Sequence, residues 1–316
     1  MRKYFLNKPV FIIVLSLLVF LLALGMIYNP NYQNNPRVYE MSVLCAQGDT
    51  GRFQNFRQGA LQAAQDLNVN LRFSYTKSEN GINHQIQLLK KELTNSSEAI
   101  IVAPFSDSGI LLKYAETSTK PLLYAYSHMI KDEFNYIGSS GAEMGNDFAL
   151  EIMQRGNYRK HIAIVVKNNT NCTEKAMIES MQEVFKTAVN QVDVLSFHPE
   201  ESLNTLCHML DSNDYDVVIC LDDSLCNQLI EHKSIHDVEI YAMGSSSYLI
   251  NALEEDKITA LLVQDEYSIG YLSVKNAVQA IKNHKNVSFP NVKYAIVDKE
   301  HMYESSNERL LFPIVR

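Results

Sequence analysis

No cluster of lysine and arginine follows the first residues of this 316-residue chain, whose formal net charge is −8. A nucleic-acid surface needs a concentrated positive field to neutralise phosphates, so that class of partner is excluded. Nucleotide and nucleophile motifs are missing as well. No GxxxxGK[ST] and no GxGxxG follows an apolar strand-like run, and the serine clusters are Gly138-Ser139-Ser140-Gly141 and Gly244-Ser245-Ser246-Ser247, not GxSxG. Cysteine is sparse: Cys45, Cys172, Cys207, Cys220 and Cys226 are odd in number and irregularly spaced, which gives no metal pattern. Cys45 and Cys220 end apolar runs and are expected to be buried thiols. His128, His208 and His301 have no partner at metal spacing. No metal, no cofactor and no enzymatic activity are expected. Solenoid repeats, low-complexity tracts and coiled-coil heptads are also lacking.

The long apolar run at the N-terminus is the strongest signal that is present. Arg2, Lys3 and Lys8 precede an almost unbroken apolar stretch from Val10 to Tyr28. At about 1.5 Å per residue it covers about 28 Å, close to the roughly 30 Å hydrocarbon core of a bilayer. Basic residues before the run place the N-terminus in the cytoplasm and the bulk of the chain outside. Ala23-Leu24-Gly25 offers a small-residue cleavage site, but a secretory signal carries a shorter apolar region of about 7 to 15 residues. An uncleaved single-pass anchor over 9–28 is therefore expected, after a cytoplasmic segment 1–8 and before a linker, 29–36, rich in Asn and Pro.

From Arg37 the pattern alternates. Strands are predicted at Val38–Ala46, Asn70–Tyr75, Ala99–Ala103, Pro121–Tyr126 and Tyr136–Gly138, with helices at Phe53–Leu67, around His84–Leu93, at Ser108–Thr117 and at Glu143–Gln154. The alternation restarts with strands His161–Val166, Gln191–Phe197, Val217–Leu221, Glu239–Met243 and Ile258–Val263. Helices between and after them span Thr173–Ala188, Leu203–Leu210, Ser224–Glu231, a stretch around Tyr248–Leu253, and Ser268–Ile281. Thr173 and Asp223 are the expected helix caps. Two successive runs of strand–helix units predict an α/β protein of two Rossmann-like lobes, each with its own parallel sheet.

In parallel sheets ligands sit at the carboxyl ends of strands. Those ends carry Asp49, Arg52 and Phe53 after the first strand, Tyr126 and Ser127 after the fourth, Asp222 after the eighth, Gly244 and Ser245 after the ninth, and Gln264 after the tenth. Aromatic faces beside amides, carboxylates and a guanidinium suit a sugar, whose C–H faces stack and whose hydroxyls hydrogen-bond. Asp222-Asp223 also admits an acid/base or metal-ligating role, with Asp223 as a helix cap the favoured alternative.

From Arg37 to about Val297 the chain resembles the type I periplasmic sugar-binding proteins of the ribose- and xylose-binding kind. The likeness is carried by FQNFRQGALQAAQDL at Phe53–Leu67, VVICLDDS at Val217–Ser224, and the strand–helix–strand–glutamine run of Tyr241–Gly270. It implies two lobes joined by three crossovers, 37–139 with 265–290 and 140–264 with 291–316, closing on a ligand between them. It also implies that Phe53 stacks on a sugar ring, that Asp222 binds a hydroxyl, and that Gln264 reaches the ligand from a crossover strand. Three positions depart from the family: Tyr126-Ser127 stands where Asp-Arg is common, Met177 replaces a helix arginine with Lys175 nearby, and Gly244 replaces an aspartate. Lysine does not reproduce the planar fork of arginine. With its anchor, the chain is similar to membrane-bound sugar sensors that pair with a histidine kinase. The implied partners are a small sugar or polyol, the membrane, and a sensor histidine kinase or an ABC permease. A ligand-free interaction protein of the same fold is the alternative, and a membrane-tethered hydrolase a distant third.

Overall fold

The structure, a computed structural model, describes residues 8–27, 37–46, 51–76, 81–106, 109–127, 136–168, 170–198, 203–231, 238–283 and 291–313. The chain forms two compact units, Met1–Val38 and Tyr39–Arg316. The first contains helix α1, Lys8–Ile27. Its described side chains, Ile12–Leu22 and Leu24, are exposed on every side. Among the described residues no helix is long and apolar enough to cross a membrane. The expected anchor is thus seen as a helix only, because insertion depends on the whole run and on a bilayer.

The second unit holds two sheets. In the first lobe β1 (Tyr39–Cys45), β2 (Val69–Tyr75), β3 (Ala99–Val102), β4 (Leu122–Ala125) and β5 (Tyr136–Ile137) lie in the order β2-β1-β3-β4-β5, all parallel. Helices α2 (Gly51–Leu67), α3 (Gly81–Thr94) and α4 (Gly109–Thr117) connect them. In the second lobe α5 (Gly141–Gln154), β6 (His161–Lys167), α6 (Cys172–Thr187), β7 (Gln191–Phe197), α7 (Leu203–Ser212), β8 (Val217–Cys220), α8 (Asp223–Glu231), β9 (Glu239–Met243), α9 (Ser247–Glu254) and β10 (Ala260–Gln264) follow in turn. Helix α10 (Glu266–Asn283) returns to pack on α2, β3 and β4, and β11 (Tyr294–Val297) and α11 (Ser305–Leu311) close the second lobe. Its strand order is β11-β10-β9-β8-β6-β7, with β11 antiparallel to β10.

Burial explains the strand patterns. The central strands β3 (AIIV) and β8 (VVIC) are buried on both faces by helices and so are continuous apolar runs, whereas the edge strands β2 and β7 keep partly exposed polar positions. The antiparallel β11 and α11 were not among the expected elements. Both are short, and β11 has no following strand–helix repeat to mark it.

The chain passes between the lobes three times, at 138–140, at Asp265 and after α10. The passages are bonded to one another: Val292 N–H donates to Gly138 O at 3.1 Å, Ser139 Oγ to Val292 O at 2.9 Å, and Asp265 N–H to Lys293 O at 2.9 Å. In each lobe the arriving helix touches a resident helix backbone to backbone. A Cβ on Gly59 of α2 would lie 1.9 Å from Tyr267 O of α10, and one on Gly145 of α5 would lie 2.2 Å from Met177 O of α6.

Two caps differ from expectation. The cap of α6 is Asn171, in a capping box with Glu174, and not Thr173, which is buried at the second position of the helix. The cap of α8 is Asp222, whose Oδ1 accepts the Leu225 N–H at 2.8 Å. Asp223 is turned away to serve another loop. Neighbouring residues that both can cap leave the choice to tertiary contacts.

Candidate functional site

The carboxyl ends of the strands in both lobes converge on one cleft. Asn55 of α2 donates from Nδ2 to Ser245 Oγ, which follows β9, at 3.5 Å, so the two rims face each other. The rim of the first lobe is aromatic. Phe56 is buried and Phe53 half-buried on the first turns of α2, with ring centroids 6.3 Å apart at 80°. Tyr126, left-handed at φ 70, turns the chain at the end of β4 and brings its ring 5.7 Å from Phe53 and 5.5 Å from Phe56. Its hydroxyl donates to Glu266 Oε2 at 3.4 Å, at the start of α10. Ser127 is buried beside it. Asp49 and the Arg52 side chain lie outside the described residues.

The rim of the second lobe is polar. Asp222 Oδ1 accepts the Leu225 N–H at 2.8 Å and forms an ion pair with Lys167 Nζ, also at 2.8 Å, and both side chains stay partly exposed. Asp223 links this loop to the next: its Oδ1 accepts Ser246 Oγ at 2.6 Å and its Oδ2 the Ser246 N–H at 3.2 Å. Ser246 Oγ in turn caps α9 by accepting the Leu249 N–H at 3.3 Å. That carboxylate explains Gly244. The residue has φ 153, and a Cβ there would lie 2.6 Å from Asp223 Oδ2. Ser245 is buried and Gln264 ends β10, also buried, with Nε2 donating to Met144 Sδ at 3.3 Å.

Of the expected residues, Phe53 and Tyr126 meet directly, and Ser245 faces the opposite rim through Asn55. Gln264 sits deeper, at the crossover. Lys175 is exposed on the first turn of α6. Three residues of the cleft were not foreseen: Asn55, Lys167 and Glu266. Glu266 is buried in the first turn of a helix, where a carboxylate complements the dipole, and its acidic first-turn position was the available signal. Lys167 closes an apolar strand, a plain mark of a strand end.

Cys45, Cys207, Cys220 and Cys226 are buried, and Cys172 is partly exposed. Burial pushes the Cys45 thiol up to about 12, partly offset by the Arg57 charge. Cys226 is raised first by its hydrogen bond with Cys220 and then by burial. These thiols are protonated and inert at neutral pH. A hollow of about 480 Å³ beside Asp265, Tyr267, Arg309 and Phe312 includes none of the rim residues and lies apart from the facing strand ends.

The comparisons agree with the two-lobed fold. The family model of the periplasmic binding protein domain matches residues 42–285. No curated protein matches the chain. Among solved structures, an ABC transporter solute-binding protein from Agrobacterium vitis with bound D-fucose is 16% identical, with a TM-score of 0.78, over 86% of this chain and 100% of its own. A carbohydrate transporter solute-binding protein from Agrobacterium radiobacter in complex with D-arabinose is 18% identical, with a TM-score of 0.78, over 88% and 100%. An ABC transporter solute-binding protein from Bacillus halodurans with bound myo-inositol is 17% identical, with a TM-score of 0.72, over 86% and 98%. At these identities the likeness is one of fold.

Proposed function

Since the chain belongs to the periplasmic binding protein domain family, a family of binding proteins and not of enzymes, we propose that it is a membrane-anchored, extracytoplasmic receptor for a small sugar or polyol. The observation that carries this reading is the opposition of the two rims. An aromatic wall, Phe53 with Tyr126, faces a polar one, Asp222, Lys167 and Ser245, at the strand ends where a parallel sheet accepts ligands. A sugar has both kinds of surface, C–H faces for the first and hydroxyls for the second. Asp49, Arg52, Ser127, Lys175, Gly244 and Gln264 complete the proposed set.

Ligand closes the lobes, 37–139 with 265–290 against 140–264 with 291–316, by contacting both, which favours the closed state in proportion to the difference in affinity. The run Val10–Tyr28 holds the domain at the outer face of the membrane, with Arg2, Lys3 and Lys8 inside. Closure is then read by a sensor histidine kinase or an ABC permease. The kinase is favoured because a permanent anchor suits a fixed partner. A second reading, a ligand-free interaction protein, is favoured by one contact: the Gln264 amide is turned to Met144 within the core.

The test is thermal unfolding of the full chain in detergent with D-fucose, D-arabinose, D-allose and myo-inositol. A ligand at a hundred times its Kd adds about 2.7 kcal/mol, enough to raise the midpoint by several degrees. No shift with any of them would transfer the assignment to the interaction protein.

A further inference from the structure

We infer that Lys167 is a ligand-reading residue of the cleft, pairing with Asp222 to present a donor and an acceptor to two neighbouring hydroxyls of one ligand; this rests on the receptor function proposed above. Strands β6 and β8 are neighbours although β7 intervenes in the sequence. From this point the sheet winds one way to β7 and the other way to β9. Such a reversal opens a crevice at the carboxyl ends of the two strands, and ligands of open α/β sheets lodge there. The register Val165↔Cys220, extended by two residues, brings Lys167 beside Asp222 at this crevice.

The pair is oriented and incompletely used. Lys167 Nζ lies 2.8 Å from Asp222 Oδ1, and the Leu225 N–H on the same oxygen fixes the carboxylate. Among the described residues Oδ2 accepts no hydrogen bond, and the ammonium, with three donors, is held by ion pairing to Oδ1. The side chains are 29% and 27% exposed, so both face an opening. Adjacent ring hydroxyls in a gauche arrangement stand about as far apart as two hydrogen-bonded heavy atoms. One can donate to Oδ2 while its neighbour accepts from Nζ, and charged partners strengthen both bonds.

The same two strands supply a comparison pair at their other end. Lys160 Nζ also lies 2.8 Å from an aspartate, Asp216, but the second oxygen of that carboxylate is taken by the His161 N–H at 2.9 Å. That pair ties the start of the sheet together and faces no opposite lobe. Lys160→Met is therefore the control for Lys167→Met.

The experiment is titration calorimetry on the full chain in detergent with D-arabinose, D-fucose, D-allose and myo-inositol, then with monodeoxy forms of those that bind. Lys167→Met is expected to lose roughly ten-fold to a hundred-fold in affinity for a bound probe, while Lys160→Met keeps the wild-type value. A monodeoxy form lacking the hydroxyl that Lys167 contacts should bind wild type and Lys167→Met alike. The proposal is overturned if Lys167→Met binds as wild type does, or if its loss is the same for every monodeoxy form. Should Lys167→Met fail to fold, Lys167→Arg keeps the charge on Asp222 and redirects its donors. Wild-type affinity in that variant also overturns the proposal. If the wild type binds no probe, the receptor function itself fails and this inference with it.

Discussion

In each lobe the helix that arrives across the hinge lies against a resident helix at backbone distance, α10 on α2 in one and α5 on α6 in the other. The glycines are distributed differently. In the first lobe one comes from each helix, Gly59 and Gly270, and in the second both Gly141 and Gly145 come from the arriving helix. The rims diverge further. The first lobe closes its strand ends with Phe53, Phe56 and Tyr126 packed on one another, and the second with carboxylates that bond to loop backbone and to Lys167. One framework thus supports two surfaces, because the helices meet through backbone while the rims are made by side chains, as Phe56 shows by doing both.

The largest effect is expected where the lobes are most alike. Gly59→Ala in the first lobe and Gly145→Ala in the second each place a methyl on a carbonyl oxygen of the facing helix, so the helices must separate. Each should cost about 3 kcal/mol, at the upper end for overpacking. Thermal unfolding of each variant should show a midpoint several degrees lower. A variant that unfolds like the wild type would break the equivalence of the two helix pairs.

A smaller effect should separate the lobes by their buried carboxylates. In the first, Glu92 is buried beneath the sheet, where Ser42, Asn95 and Ser97 donate to it and Arg72 lies 3.7 Å away. Burial pushes its carboxyl up, but the Ser42 and Asn95 hydrogen bonds, the Arg72 charge and Ser97 together hold it below the ordinary value of 4.5. A depressed carboxylate contributes stability that is complete above its unfolded value and is lost as pH falls through the folded one. Glu92→Gln should lower stability by about 2 kcal/mol at neutral pH, and the difference from wild type should shrink below about pH 4.5. Denaturant unfolding across pH measures this. A pH-independent difference would mean that packing, and not charge, is what Glu92 contributes.

The smallest effect belongs to the bond between Asn55 and Ser245, which joins the facing rims. The 3.5 Å separation of Asn55 and Ser245 is at the limit of a hydrogen bond, so Ser245→Ala should change stability by less than about 0.5 kcal/mol. A larger drop in the unfolding midpoint would show that the rims hold the lobes together without ligand.

Much of the fold was legible because burial on two faces leaves continuous apolar runs such as Ala99–Val102 and Val217–Cys220, and because helices keep their period. Boundaries moved by one to three residues, and β11 and α11 were missed. At the strand ends, the change from apolar to polar is a local signal, and it pointed to Tyr126, Asp222 and Ser245 as rim positions. It passed over Lys167, which also ends an apolar strand, because its partner Asp222 lies far along the chain. It also gave the α8 cap to Asp223, because two adjacent aspartates look alike until Ser246 claims one of them.

The sequence by itself determined the order of strands and helices, the break between two lobes, the apolar N-terminal run and the kind of chemistry at the strand ends, all of which follow from patterns a few residues long. Only the tertiary structure decided that β6 lies beside β8, that Lys167 therefore meets Asp222, that Asp223 holds Ser246, and that Asn55 faces Ser245. Those meetings join residues far apart along the chain, and no local periodicity encodes which strand a strand will choose as its neighbour.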